Sequence, residues 1–289
     1  MVGLIKRNLR LQFNSFGGVS LSLMGAIISF VLYLVFLRQS IASGLSRVPD
    51  LKQILDPWLM GGTLTITAIT TTANSLGQMV KDRDNGALRD LLLTRPSYYH
   101  IQGAYVLSTI LIGIVMQGLV MTFMSLYFSL MDAMTFRLDW VLPILIVMIL
   151  SSVVWTTVNM LLLSFINNVD SLSKFNSIIG TAAGFFACVY MPIGLIPTSA
   201  QWLIEFTPAP YNAALFRQIL LKDPLNNSFK NATPAVLNDF KESMGIGINI
   251  NGLTTVYSNI LLLVGFTMIT IIAILIVTNI LKRGVLKRH

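Results

Sequence analysis

The chain has 289 residues, of which 54% are hydrophobic and only 11% charged, with a formal net charge of +8. A soluble domain is about 25% charged, so this chain has too few charges to cover a water-facing surface, and lipid must solvate most of it. The positive excess does not indicate nucleic acid, because the basic residues cluster beside apolar runs, where anionic lipid headgroups attract them.

In chain order, residues 1–17 read as an amphipathic interfacial helix. Ile5, Leu9, Phe13 and Phe16 share one side, with Arg7, Arg10 and Asn14 opposite and Lys6 nearby, a pattern suited to the headgroup plane of an anionic leaflet. A cytosolic extension of the first span is the alternative. The run 19–37 is longer than the apolar part of a signal peptide and further spans follow it, so it reads as a retained first span. A polar connector with Arg38, Arg47, Pro49, Asp50 and Lys52 follows, and Pro57 and Trp58 are expected to mark re-entry at an interface. The second span, 58–80, carries Thr63, Thr67, Thr70, Asn74 and Gln78 on one helical face. Such a stripe belongs against protein or water. It fits the lining of a pathway, and it equally fits polar glue between helices.

Spans three and four are expected at 101–128 and 140–165, with Asp170 or Ser171 capping the next helix. Span five, 175–195, carries Asn176, Gly180, Gly184 and Cys188 at steps of four, and its glycines permit close helix approach. Residues 190–211 hold four prolines and read as short re-entrant helical pieces, which survive at membrane depth only where protein or water satisfies the backbone. The segment 198–255 is read as external, and span six as 256–281. The expectation is an all-α polytopic membrane protein with six transmembrane helices in one domain covering 1–289.

With six spans both termini lie on one side. The 20 Lys and Arg then divide as twelve on the terminal side and eight on the other, which places both termini, and the stretch 81–96, in the cytoplasm. That stretch concentrates seven charged residues while keeping Leu88, Leu91 and Leu92 at helical spacing. It reads as a contact for another protein. Chemistry of its own is not indicated: His100, His289 and the lone Cys188 make no metal-ligand set of the usual type, no cofactor-binding residues are nominated, and no phosphate-binding P-loop or nucleophile elbow occurs. The spans also lack acidic residues for a proton relay.

Residues Asp82-Arg83-Asp84-Asn85-Gly86-Ala87-Leu88, then Leu91-Leu92 and Thr94-Arg95-Pro96, resemble the cytoplasmic segment between the second and third spans of permease subunits of bacterial type-2 ATP-binding-cassette exporters. Asp stands where Glu is usual, and Ala87 where Thr is common. A second likeness follows span five, in Pro192, Gly194, Ile196-Pro197, Trp202, Pro208, Tyr211 and Arg217. The resemblance implies a multi-pass permease of the bacterial cytoplasmic membrane that pairs with a second permease chain, as a homo- or heterodimer. It also implies docking on a cytoplasmic ABC ATPase, which would use ATP and Mg. A coupling helix over 82–93 would enter a cleft of that ATPase, with Leu88, Leu91 and Leu92 buried and Arg83, Arg89 and Asp90 at the rim. Spans two and five would form the pathway, and the scarcity of charge along it favours an amphipathic or hydrophobic cargo such as a drug, peptide or lipid-linked molecule. A membrane enzyme acting on lipid and a non-transporting sensor or immunity protein are the competing readings.

Overall fold

The computed structural model describes residues 1–14, 16–44, 51–93, 97–135, 137–250 and 252–286. Arg47, Pro49, Asp50, Thr94, Arg95, Pro96 and His289 lie outside the described residues. Among the described residues all regular structure is helical, apart from an isolated bridge between Asn249 and Leu253. In chain order the helices are α1 Val2–Phe13, α2 Phe16–Leu32, α3 Arg38–Gly44, α4 Leu51–Asp84, α5 Ala87–Leu93, α6 Tyr98–Asp132, α7 Val141–Leu163 and α8 Val169–Phe186. They continue as α9 Thr198–Glu205, α10 Ala209–Leu220, α11 Lys222–Ser228, α12 Pro234–Ser243 and α13 Val256–Leu286. A π-helical turn, Tyr33–Leu37, joins α2 to α3. Among the described residues four stretches are long and apolar enough to cross a membrane: Ser22–Ile41, Tyr98–Asp132, Leu138–Leu163 and Val256–Thr278.

The fold is organised around α4, which packs against α2, α6, α7, α8 and α10 and is buried over most of its length. Its sequence is Thr-rich, and the helix tolerates that because four of its six threonine hydroxyls, those of Thr65, Thr67, Thr70 and Thr72, bond within the chain. Those of Thr63 and Thr71 are buried without a partner. Thr67 Oγ1 donates to the Thr63 carbonyl at 2.8 Å and Thr72 Oγ1 to that of Ala68 at 2.7 Å, the back-bonding available to threonine in a helix. Single amides in the apolar neighbours add cross-links. Asn159 Nδ2 of α7 reaches Thr72 Oγ1 at 2.8 Å, Gln117 Nε2 of α6 reaches Ser152 Oγ at 2.8 Å, and Asn212 Nδ2 of α10 reaches Ser151 Oγ at 2.8 Å. Where no water competes, these side-chain bonds hold helices in register.

The structure corrects four expectations about boundaries. α4 begins at Leu51 with Pro57 inside it, and Trp58 is fully buried, its indole N–H donating to the Met244 carbonyl at 2.6 Å. Trp58 is therefore an internal anchor and not an interface marker. The helix expected to reach 195 ends at Phe186, where Cys188 turns the chain with φ 51°. The cap of α8 is Asn168, whose side chain accepts from the Ser171 N–H at 2.8 Å, while Asp170 lies in the first turn. The expected coupling helix over 82–93 is two helices: residues 82–84 complete α4, and α5 starts at Ala87.

Gly86 makes that break. Its φ is +82°, and an added Cβ would meet nothing within 4 Å. Gly86→Ala is therefore expected to cost about 1 kcal/mol through backbone strain alone, read as a modest fall in thermal stability without loss of assembly.

Candidate functional site

Two places collect the residues singled out by sequence. The first is the proximal end of α4, beside α1. Asp82 is 1% exposed and accepts a two-pronged contact from Arg7, Nη1 to Oδ2 at 2.6 Å and Nη2 to Oδ1 at 2.8 Å. Gln78 Nε2 donates to Oδ1 at 2.8 Å, and the Tyr105 hydroxyl donates to Oδ2. Burial acts to raise the Asp82 pKa, but the bonds from Arg7, Tyr105 and Gln78 outweigh it and hold the carboxyl below its ordinary value.

Asp82 thus braces the N-terminal helix. The same helix uses a third face that its apolar and basic stripes did not reveal. Asn8 and Gln12 are buried, Asn8 Nδ2 reaching Ser108 Oγ at 3.0 Å and Gln12 Nε2 reaching Ser22 Oγ at 2.9 Å. Lys6 and Arg10 stay exposed. One residue along from Asp82, Arg83 Nη1 lies 3.4 Å from the Ile166 carbonyl and from Asn167 Oδ1. Asp84 Oδ2 accepts the Val169 N–H, the first of α8, at 3.2 Å. The negative carboxylate suits a helix N-terminus. Asp82, Arg83 and Asp84 at the end of α4 therefore reach α1, the α7–α8 turn and α8, respectively.

Leu88 and Leu91 of α5 pack against this chain's own second core, formed by Leu76, Met79, Val80, Ile101, Tyr105, Leu163 and Leu172. The outward face of α5 is Arg89, Asp90, Leu92 and Leu93, with Leu92 43% and Leu93 87% exposed. The sequence reading had Leu88 and Leu91 buried in a partner. The structure turns them inward because they lie on the side of α5 that faces the end of α4.

The second place is an open cleft of about 870 Å³ between α2, α4 and α8. Met24, Ile28 and Leu32 of α2 form an apolar wall. Thr70 and Asn74 of α4 face Asn176, Ser177 and Gly180 of α8. Here the stripe on the second span meets the stripe on the fifth. Thr70 Oγ1 and Asn74 Nδ2 also bond α2, at the Ser22 carbonyl (2.9 Å) and Ser22 Oγ (2.7 Å), so they serve as helix contacts too. Asn176 Oδ1 is buried without a hydrogen-bond partner. The other stripe residues lie elsewhere: Thr63 and Thr67 are sealed in the core, Gln78 serves Asp82, and Gly184 lies under the Tyr190 ring.

Sequence reasoning gave Arg217 no structural role, although a lone cation amid apolar and small residues is a signal. It is fully buried above the distal end of α4 and bonds carbonyls only.

These features define a helical membrane protein with a central polar helix, a lateral cleft and an exposed leucine pair at one end. The sequence matches the family of the ABC-2 type transporter over residues 2–221, and the chain belongs to that family. It is thus a membrane permease of an ABC transporter, a kind of subunit that does not itself hydrolyse ATP and that works with an ABC ATPase. Among curated proteins none matches the chain.

Proposed function

We propose that the chain forms the translocation pathway of an ATP-driven exporter for an amphipathic or hydrophobic substrate, such as a drug, peptide or lipid-linked molecule. In this reading it crosses a bacterial cytoplasmic membrane six times, with α4 and α8 joining the four apolar spans and both termini cytoplasmic. It pairs with a second permease chain and couples through α5 to the ATPase, which binds ATP and Mg. The supporting observation is the cleft, which unites Thr70 and Asn74 with Asn176 and Gly180 and has no charged side chain among its lining residues. An uncharged wall of amides and hydroxyls opposite an aliphatic wall suits a ligand with one apolar and one hydrogen-bonding side.

α8 has 18 residues, about 27 Å of helix at 1.5 Å per residue, enough for a short span. α4 is too polar for lipid by itself, and the sheath of neighbouring helices removes the need for lipid contact.

The test uses the permease with its ATPase in proteoliposomes. In a Cys188→Ser background, a Ser177→Cys thiol in the cleft is expected to change its reactivity toward a membrane-impermeant maleimide between the nucleotide-free and ATP-trapped states. Gly180→Phe, at a glycine where an added Cβ would meet nothing within 4 Å, is expected to suppress that labelling without lowering thermal stability. Labelling that ignores both nucleotide and Gly180→Phe would sink the assignment.

A further inference from the structure

Two rings line the cleft where α8 ends. Phe185 and Tyr190 meet edge to face, 5.0 Å between centroids, and Tyr190 lies so close over Gly184 that a Cβ there would come within 2.2 Å of its ring. Both rings line the cleft. Between them the chain leaves α8, turns at Cys188 in a left-handed conformation and packs Val189 onto α4. A β-carbon in that region costs about 1 kcal/mol or more, so something must hold the turn.

Arg217 does. Its Nη2 donates to the Ala187 carbonyl at 3.1 Å and to that of Cys188 at 3.0 Å, Nη1 to the Gly245 carbonyl at 3.1 Å, and Nε to the Trp58 carbonyl at 3.3 Å. The guanidinium also lies over the Trp58 ring, 4.4 Å from its centroid, a favourable cation–π placement. Among the described residues no carboxylate pairs with it. Among the described residues, carbonyl dipoles and one aromatic face are what meet this buried cation. α4 is shaped to admit it: a Cβ on Gly61 would come within 2.9 Å of Arg217 Cγ, and one on Gly62 within 2.9 Å of Nη2 and 2.2 Å of Val189. Residues of α4, the end of α8, α10 and the segment after α12 thus converge on one side chain.

We infer that Arg217 is the positioning residue of an outer gate: it pins the 187–189 turn to α4, so that Phe185 and Tyr190 cover the distal end of the cleft, and opening requires exchange of its carbonyl partners. The gate's function rests on the reading of the cleft as the pathway, whereas the pin itself is a matter of geometry. The fork shape matters, because four acceptors in different directions suit a planar guanidinium and not an ammonium.

The experiment measures two quantities in the full chain with its ATPase, in a Cys188→Ser background. Spin labels at Lys52→Cys and Met191→Cys, both exposed in the native protein, report the separation of the turn from the start of α4. Impermeant maleimide added from the distal side reports exposure of Ser177→Cys without nucleotide. Arg217→Gln is expected to lengthen and broaden the distance distribution and to raise the labelling rate. Arg217→Lys, which keeps the charge and most of the stem, is the variant to use should Arg217→Gln fail to assemble, and it is expected to restore both readouts only in part. Unchanged distances in a folded variant overturn the pin. A lengthened distance with unchanged labelling overturns the gate while leaving the pin in place. Labelling that never responds to ATP in the protein with native Arg217 overturns the pathway reading instead, so the failures are separable.

Discussion

Asp82→Asn is expected to loosen the N-terminal helix from the body of the protein, with Asn8 and Gln12 still bonded to Ser108 and Ser22. The substitution weakens or removes four incoming hydrogen bonds at once and leaves the Arg7 guanidinium without its carboxylate. Breaking a fully buried pair costs about 3–5 kcal/mol. The Arg7 side chain keeps 36% exposure, so water compensates part of that and a loss of about 2 kcal/mol is the expected size. Hydrogen exchange over residues 2–13 is the direct measurement, and unchanged protection would refute the bracing role. A double-mutant cycle with Arg7→Gln should show strong coupling, and Arg7→Lys should rescue poorly because one ammonium cannot engage both carboxylate oxygens. The pH dependence follows from the same contacts. A carboxyl held below its ordinary pKa contributes stability that is present above that ordinary value and is lost as pH falls through the lowered one. Protection of α1 should therefore be flat between about pH 7 and about pH 5 and fail only below about pH 4.

The second large effect concerns α5, where the leucines separate into two classes. Leu93→Asp is expected to abolish co-purification with the ATPase while leaving thermal stability unchanged, since Leu93 is 87% exposed. Each leucine anchor buried in an interface contributes about 1.5–3 kcal/mol, so loss of Leu93 alone should weaken affinity about tenfold to a hundredfold, and Leu92→Asp should add to it. Leu88→Asp and Leu91→Asp are expected to act differently, lowering stability by placing a carboxylate against the core of Leu76, Met79 and Ile101. Retained ATPase binding by Leu93→Asp would show that the docking surface lies elsewhere.

Much of this was legible in the sequence because hydropathy and helical spacing are local signals. The apolar spans, the amphipathic start and the broken run around Pro192 can be read from composition and periodicity. Of the residues on the two stripes, Thr70, Asn74, Asn176 and Gly180 line the cleft; Thr63, Thr67, Gln78 and Gly184 share the stripes but lie elsewhere, so spacing alone did not mark the cleft. Three further things could not be read. Asn8 and Gln12 looked like ordinary members of a surface helix, because their partners Ser108 and Ser22 are set by packing and not by spacing. Leu88, Leu91 and Leu92 share a leucine pattern, but the break at Gly86 decides which of them turn inward. Arg217 entered as the last residue of the second likeness and as an outer-side charge in the topology, with no role assigned, because its burial depends on Gly61 and Gly62, far away in the chain.

The sheathing of α4 also has a consequence for how the protein is made. This helix emerges from the ribosome before α6, α7, α8 and α10, four of the five helices that enclose it. A Thr-rich segment with no partners gains little from entering lipid, so during synthesis it must either wait at the insertion machinery or reside in the bilayer with its hydroxyls turned onto its own carbonyls. The back-bonds of Thr67 and Thr72 supply that provisional shelter. Chains arrested before residue 141 should therefore hold α4 in a loosely inserted, protease-accessible state, and its commitment to the membrane should coincide with the arrival of Asn159.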